Sequence, residues 1–277
     1  MTTATTRTAR RGATDGTIHF GQIELDLLAS HVGVRFPFPL RVPSFGRIDG
    51  EREVLLATAG QTLQARGLAD EDGPAGAAAE LVTALREYRG TVDLVLFDGD
   101  GATAVVAMVY RSWALICEQP LDGDPASPVR IRRVLANALG DALRAMVPDL
   151  GPARALPISL PERAIGSAAE LIRDVADDEA KERLLRELVR DCGGDPDVLD
   201  QLTGLLPTLT GRGQLGATRR DGAENVRAGA ELSWLDGPRG RLRVNPARNG
   251  WVSINPLRSE DLRFALDELA GIARRPR

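Results

Sequence analysis

The stretch GAELSWLDGPRGRLRVNPARNGWVSIN, residues 229–255, decides the fold of this chain. Apolar and polar residues alternate within it, and Gly, Pro and Asn separate the alternating runs. The predicted strands in this stretch are 229–236, 240–245 and 250–255. A further strand, 213–219, is predicted just before it. Alternation between turns is typical of an antiparallel sheet with one buried face. A helix that begins at Ser259 as its cap follows, so the unit is a strand meander closed by a helix.

The same order of elements occurs earlier, in residues 92–147. Three β-rich runs, 92–98, 103–110 and 112–119, precede an apolar stripe with helical spacing. The stripe consists of Ile131, Val134, Leu135, Ala138, Leu139, Ala142 and Met146. The repetition predicts an α+β fold with two pseudo-symmetric halves, each an antiparallel strand meander plus a helix, that share one central sheet.

Other segments have the periodicity of helices, and two of them predict an added helical bundle. The predicted helices are 22–32, 51–66, 75–89, 168–191 and 198–206. A proline-rich segment, Phe36–Pro43, is expected to be extended because proline fixes φ and excludes helix. The predicted division of the chain is a disordered tail at 1–16, an N-terminal αβ half at 17–160, and the helical pair with the C-terminal αβ half at 161–277.

Composition restricts the class of protein. The net charge of −4 does not favour a general nucleic-acid binder, which would carry a basic excess. No run approaches the roughly 20 apolar residues of a membrane helix, and residues 1–16 hold arginines without the apolar core of a signal peptide. Cys117 lies in a predicted strand and Cys192 at the end of a predicted helix. Two cysteines in these places do not indicate a disulfide framework. The sequence therefore predicts a cytoplasmic protein.

No catalytic or cofactor motif is complete. His19 and His31 are the only histidines, and no zinc spacing or nucleophile elbow occurs. Asp98–Gly101 breaks the calcium-loop pattern after two aspartates, and a hairpin turn explains it better. The glycine-rich run 211–216 leads into a strand, whereas a phosphate cradle leads into a helix. The sequence predicts no metal, no cofactor and no enzymatic activity.

Leucine density in residues 198–212 leaves two interpretations open. The leucines either pack against the preceding helix or form an apolar groove for a partner helix. We place the candidate partner site on this segment, on the sheet face and on the arginine-bearing hairpin at 219–228. The candidate residues are Leu199, Leu202, Leu205, Leu206, Leu209, Arg212, Arg219, Arg220, Arg227 and Trp234.

Several short motifs together resemble the EspG family, the cytosolic chaperones of actinobacterial type VII (ESX) secretion systems. Their order and spacing across residues 17–273 carry the resemblance. In chain order they are Phe38-Pro39-Leu40, Gly50-Glu51-Arg52, Arg66-Gly67-Leu68, Gly213-Gln214-Leu215-Gly216, Gly240-Arg241-Leu242 and Gly250-Trp251-Val252.

The resemblance implies two related αβ halves around a central sheet, with a helical bundle. It also implies that the chain covers the hydrophobic helical tip of a secretion substrate, which in the best-known relatives is a PE–PPE heterodimer. Two alternatives remain. One is an enzyme that acts on a phosphorylated metabolite through the arginines near 212–227, and the other is a structural subunit of the secretion apparatus.

Overall fold

The computed structural model describes residues 16–275, apart from 100, 123–126, 156, 223 and 247–248. The predicted disordered tail therefore lies outside the described residues, except for residue 16. The helices are α1 (Gln22–Val32), α2 (Asp49–Ala65), α3 (Gly76–Glu87), α4 (Leu139–Arg144), α5 (Glu162–Leu171), α6 (Asp178–Asp191), α7 (Pro196–Leu205) and α8 (Ser259–Arg274). The strands of the N-terminal half are β1 (Ile18–Phe20), β2 (Ala69–Asp70), β3 (Gly73–Pro74), β4 (Gly90–Asp98), β5 (Gly101–Tyr110), β6 (Trp113–Pro120) and β7 (Val129–Leu135). The remaining strands are β8 (Ile158–Pro161), β9 (Gly211–Asp221), β10 (Glu224–Arg227), β11 (Leu232–Gly237), β12 (Gly240–Asn245) and β13 (Trp251–Pro256).

One antiparallel sheet joins the two halves, in the order β1-β7-β6-β5-β4-β9-β11-β12-β13-β8, with β10 paired to β9. The strands β4 and β9 meet at its centre. Thr91 lies opposite Thr218 in their register, and the two side-chain hydroxyl oxygens are 2.7 Å apart. Because these central strands come from different halves, the sheet buries a continuous interface between them.

Each half repeats one topology. In the first, β1 is followed by α1–α3, the meander β4–β7 and α4; in the second, β8 is followed by α5–α7, the meander β9, β11, β12, β13 and α8. In both halves the first strand pairs with the last strand of the meander, as β1 with β7 and β8 with β13. The predicted α+β class, with two pseudo-symmetric halves, is confirmed. Since β8 belongs to the second repeat, we propose a boundary between Arg144 and Ile158, which is earlier than the one expected after residue 160.

The two faces of the sheet are covered differently. The face that we call the helix-pair face packs against α4 and α8, through leucines such as Leu143 and Leu266. The opposite face, the bundle face, is covered by α1–α3 over the N-terminal half and by α5–α7 over the C-terminal half. Side chains alternate between these faces along each strand, which is why neighbouring residues enter different cores.

The helix predicted from Ile131 to Met146 is wrong in its first part. Residues 129–135 form β7, which pairs with β6 through Cys117 and Ile131. A 3₁₀ turn and the short α4 follow. The stripe was ambiguous because apolar and basic residues also alternate in VRIRRVL. The alternation places Val129 and Ile131 in the core on the bundle face. The strand β1 escaped prediction because three residues are too few to show a period.

Two further helix boundaries differ from the expectation. The segment predicted as one helix at 168–191 is divided into α5 and α6, and Asp177 caps α6 by accepting a hydrogen bond from the Ala180 amide at 2.9 Å. Acidic residues with a free carboxylate favour such N-caps over helix interiors, which explains the break. The last helix takes Arg258 as its N-cap, so Ser259 is its first helical residue rather than its cap.

Candidate functional site

A strip of the bundle face at the centre of the sheet is the candidate site. Arg212 and Gln214 remain exposed there in the middle of the sheet, where strands are normally covered. We call this surface the central strip, and it consists of Asp93, Val95, Phe97, Arg212, Gln214, Gly216, Ser233 and Leu235, which neighbour one another in the registers of β4, β9 and β11. The strip lies between the helices α1–α3 and the helices α5–α7.

The proline-rich segment borders the strip on the side of the N-terminal half. Gln119 of β6 holds this segment by exchanging two hydrogen bonds with the Arg41 backbone, at 2.7 Å to the amide and 2.9 Å to the carbonyl. Phe36 and Leu40 pack inward, whereas Phe38 between them is 63% exposed. The segment therefore presents one large aromatic side chain to solvent beside the strip.

The end of α7 borders the strip on the other side. Leu235 lies opposite Arg212 in the register and packs against the cluster under α5–α7, which includes Leu205. The following 3₁₀ turn leaves Leu206 50% exposed. The strip thus has an exposed apolar side chain at each border, and its own exposed side chains, Arg212 and Gln214, are polar.

An ion-pair network crosses the floor of the strip. Arg227 reaches over Gly216 to the Asp93 carboxylate and also binds Glu231, with 2.7 Å from Nε to the nearer carboxylate oxygen. A side chain at Gly216 would meet the Arg227 guanidinium at 2.5 Å, so Arg227 would have to shift from this position. Burial raises the pKa of the Asp93 carboxyl, although the Arg227 hydrogen bond acts against that shift. The Phe38 ring lies 6.0 Å from the Arg227 guanidinium carbon.

The four predicted arginines do not converge on one ligand. Arg212 stacks on Phe97, Arg220 binds backbone carbonyls at the end of α3, and Arg227 belongs to the network described above. Arg219 lies on the helix-pair side of β9, by alternation from Arg212 and Arg220. This separation does not favour the alternative of an arginine clamp for a phosphorylated metabolite.

The predicted leucines divide between core and surface. Leu199 is buried, and Leu202 and Leu205 are half-buried against the same cluster. Leu206 is half-exposed, and Leu209 is partly covered beside Gly237. The start of α7 therefore packs in the core, as the first interpretation expects, and its end reaches the surface, where the partner groove stays a prediction.

Trp234 is a correction to the predicted site. Its side chain is only 1% exposed and lies on the helix-pair face, where its ring covers Gly213. The indole Nε1 donates to Asp236, and the Arg241 guanidinium lies 5.5 Å from the ring. A partner on the bundle face cannot touch this residue, because alternation along β11 directs it away.

Two of the cavities outside the strip lie beside α1. One, of about 670 Å³, is mainly apolar and lies between α1 and α2, with Ile23 and Leu55 in its walls. The other, of about 900 Å³, lies against the proline-rich segment and includes Asp26 and Arg52. In the described part of the chain no three His, Cys, Asp or Glu side chains are arranged to hold a metal ion. A membrane-spanning helix would need a longer and more apolar run than any described helix provides.

Sequence reasoning missed the strip residues on β4 and the role of Phe38. Phe97 and Asp93 were assigned only to a strand, because alternation does not tell which of two covered faces stays open. Phe38 was noticed as part of a short motif, and its place between two prolines was the available signal. Extended backbone directs alternate side chains to opposite sides, so with Phe36 and Leu40 packed inward Phe38 faces solvent.

The chain is similar to a known protein family in sequence and to a solved structure in fold. The model of the EspG family matches residues 23–268. A solved structure of the Mycobacterium tuberculosis type VII secretion system chaperone EspG5, in complex with the PE25–PPE41 dimer, has a TM-score of 0.62 and 13% sequence identity. The similarity covers 91% of this chain and 95% of that chain, and it establishes a shared fold. No curated protein matches the chain in sequence.

Proposed function

The chain belongs to the EspG family, and from that premise we propose that it is a type VII secretion chaperone. In this proposal it binds the apolar helical tip of a PE–PPE-type substrate in the cytoplasm and keeps the substrate soluble until export. The exposed central strip, which holds Arg212 and Gln214 open in mid-sheet, is the observation that carries the proposal.

The strip has the composition that such a tip requires. Apolar side chains at its borders, Phe38 and Leu206, can bury the apolar surface of a helical hairpin. Exposed polar groups between them, at Arg212 and Gln214, can satisfy the backbone groups that a helix end leaves without partners. Protein interfaces combine buried apolar anchors with polar groups that form hydrogen bonds, and specific ones bury about 1,200–2,000 Å² in total.

The proposal treats the chain as a binding protein and not as an enzyme. Its support is the family, the fold shared with EspG5, and the use of the arginines in internal contacts. The EspG5 structure holds a PE25–PPE41 dimer, and a client of that kind is what we propose for this chain. Binding and release of a helical tip need no bond to be made or broken, so no catalytic group is required.

Co-expression with the PE–PPE pairs of the source organism tests the function. We expect at least one pair to copurify with the chain at equal stoichiometry through size-exclusion chromatography, and to precipitate when it is expressed alone. The PE25–PPE41 dimer serves as a second probe for shared specificity. If each pair is soluble by itself and elutes separately from the chain, the chaperone proposal is wrong.

A further inference from the structure

Two arginines on β9 stack on aromatic rings at opposite ends of the bundle face. Arg220 lies 4.8 Å from the Tyr88 ring, and Arg212 lies 4.0 Å from the Phe97 ring. Both arginines have even positions on the same strand, so both project from one face of the sheet. Each site is therefore an arginine that stacks on an aromatic ring, and the two sites differ in the groups that accept hydrogen bonds from the arginine.

The Arg220 site is occupied by the end of a helix. Its Nη1 donates to the Arg86 carbonyl at 2.8 Å and approaches the Leu85 carbonyl at 3.4 Å. These carbonyls belong to the last turn of α3, where they have no partner within the helix. Stacking on Tyr88 holds the guanidinium flat, so its donors point along the ring plane at the helix end. Arg220 is thus an example, within this chain, of an arginine that stacks on an aromatic ring and caps a helix C-terminus.

The Arg212 site has the same support without a helix. Its guanidinium stacks on Phe97, and the side chain is exposed at the end of the strip next to the 3₁₀ turn at 206–208. Within the described residues no acceptor takes a hydrogen bond from it. A stacked guanidinium keeps its five N–H donors available in the ring plane. The site is therefore preorganised for a planar set of acceptors from outside the chain.

We infer that Arg212, supported by Phe97, caps the C-terminus of a client helix in the way that Arg220 caps α3. This inference rests on the proposed function and names the part of the client that the strip recognises. A helical hairpin presents one helix C-terminus at its tip, with up to four carbonyls that lack internal partners. In this inference Leu206, which is half-exposed in the 3₁₀ turn that precedes β9, contacts the apolar side chains of that last turn.

The inference favours helix carbonyls over a client carboxylate because the internal precedent uses carbonyls. The two acceptors differ in their response to salt. A charge pair at a surface is screened as ionic strength rises, with a Debye length of about 10 Å at 0.1 M and about 3 Å at 1 M. A cap on neutral carbonyls carries no such net charge pair, so its contribution to affinity changes little with salt.

Transfer of the client pair from the wild-type complex to each tagged variant, measured by pull-down over a range of variant concentrations, tests the inference. We expect R212Q to weaken binding about tenfold or more, since hydrogen bonds from a charged donor to buried acceptors have that effect. R212K keeps the charge but not the planar fork, and F97L keeps the apolar support but not the ring. Both are expected to weaken binding, by less than R212Q. R219Q, the matched control on the other face of β9, should change affinity by less than about twofold.

The outcomes separate this inference from the proposed function. If the wild-type chain binds no PE–PPE pair, the proposed function fails and Arg212 is not at issue. If the wild type binds and R212Q binds equally well, the inference is wrong while the function stands. If R212K binds like the wild type and the loss in R212Q vanishes near 1 M salt, the acceptor is a carboxylate and the cap is also wrong. A loss in R212Q that persists at high salt, with R212K impaired, supports the cap.

Discussion

The two helical layers on the bundle face have the same position in the repeat and different internal packing. In the N-terminal layer, α1–α3 contribute fully buried leucines such as Leu25 and Leu81, and two partly buried ion pairs link α1 to α2. In the C-terminal layer, the cluster under α5–α7 is smaller, and many of its apolar side chains, including Leu188 and Leu205, are only partly buried. Its ion pairs, such as Arg186 with Asp197, lie at the surface.

The difference in packing implies different roles for the two helical layers. Buried leucines contribute stability in proportion to the apolar area that they remove from water, about 25 cal/mol per Å², whereas exposed ion pairs contribute about 0–1 kcal/mol. The N-terminal layer is therefore the more rigid support of the sheet. The C-terminal layer borders the strip with side chains that are only partly buried.

Leucine deletion in each layer should give the largest effects. L81A in α3 is expected to lower the free energy of unfolding by about 2–5 kcal/mol, because it leaves a cavity in a tightly packed cluster. L199A in α7 should cost about 2 kcal/mol or less, since its looser surroundings can collapse around the gap. Urea denaturation followed by circular dichroism measures both. An equal or larger loss in L199A would remove the proposed difference between the layers.

A charge at the border of the strip should act on binding alone. L206E is expected to leave the free energy of unfolding unchanged within about 0.5 kcal/mol, because the side chain is half-exposed, and to weaken client binding at least about tenfold. Leu209 is a poorer test site, since it is partly covered. The matched control is V54E on α2, where Val54 is 66% exposed. If both variants lose the client equally, the border of the strip has no special role.

Two carboxylates, Asp26 in the N-terminal layer and Asp93 on the floor of the strip, should respond to pH in opposite directions. Burial acts to raise the pKa of Asp26, but hydrogen bonds from Arg52 and the Phe45 amide outweigh it and hold that pKa below 3.8. Burial holds the pKa of Asp93 above 3.8. The stability contributed by Asp26 is therefore present above pH 3.8 and is lost as pH falls through its folded pKa. For Asp93 the folded state takes up the proton first, so stability is gained as pH falls through its folded pKa.

Unfolding free energies of D26N and D93N across the acid range measure these signs. The advantage of the wild type over D26N should shrink as pH falls below 3.8. The advantage of the wild type over D93N should instead grow as pH falls from neutral towards 3.8. Parallel curves for both variants would show that neither carboxylate titrates as its surroundings require.

The sequence predicted the frame of the molecule better than its boundaries. Alternation along β11–β13 and the stripe of α8 identified one repeat, because their apolar residues enter cores: Trp234 and α8 that of the helix-pair face, and Leu242 and Ile254 that under α5–α7. The stripe from Ile131 to Met146 misled because a strand and a helix can share the same apolar positions over seven residues. The edge strand β1 is held by its pairing with β7 and not by any local signal.

The site was harder to predict than the fold. Leu206 and Arg212 were placed at a partner surface from composition alone, and the structure leaves both accessible. Trp234 was placed there too, but the face that a strand residue occupies depends on which helices cover each side. Phe97 and Asp93 depend on pairing between β4 and β9, which are more than a hundred residues apart in the chain. Local patterns carry no information on such pairs.

Site-specific photo-crosslinking tests the central claim, that the client occupies the strip between the two helical layers. A benzophenone amino acid is introduced at Gln214, which is exposed on the strip, and in a second protein at Phe264, which is 70% exposed on α8 of the opposite face. Each protein is irradiated with the copurifying PE–PPE pair. If the client occupies the strip, position 214 crosslinks to the client and position 264 does not. A crosslink from 264 with none from 214 would show that the client lies on the opposite face.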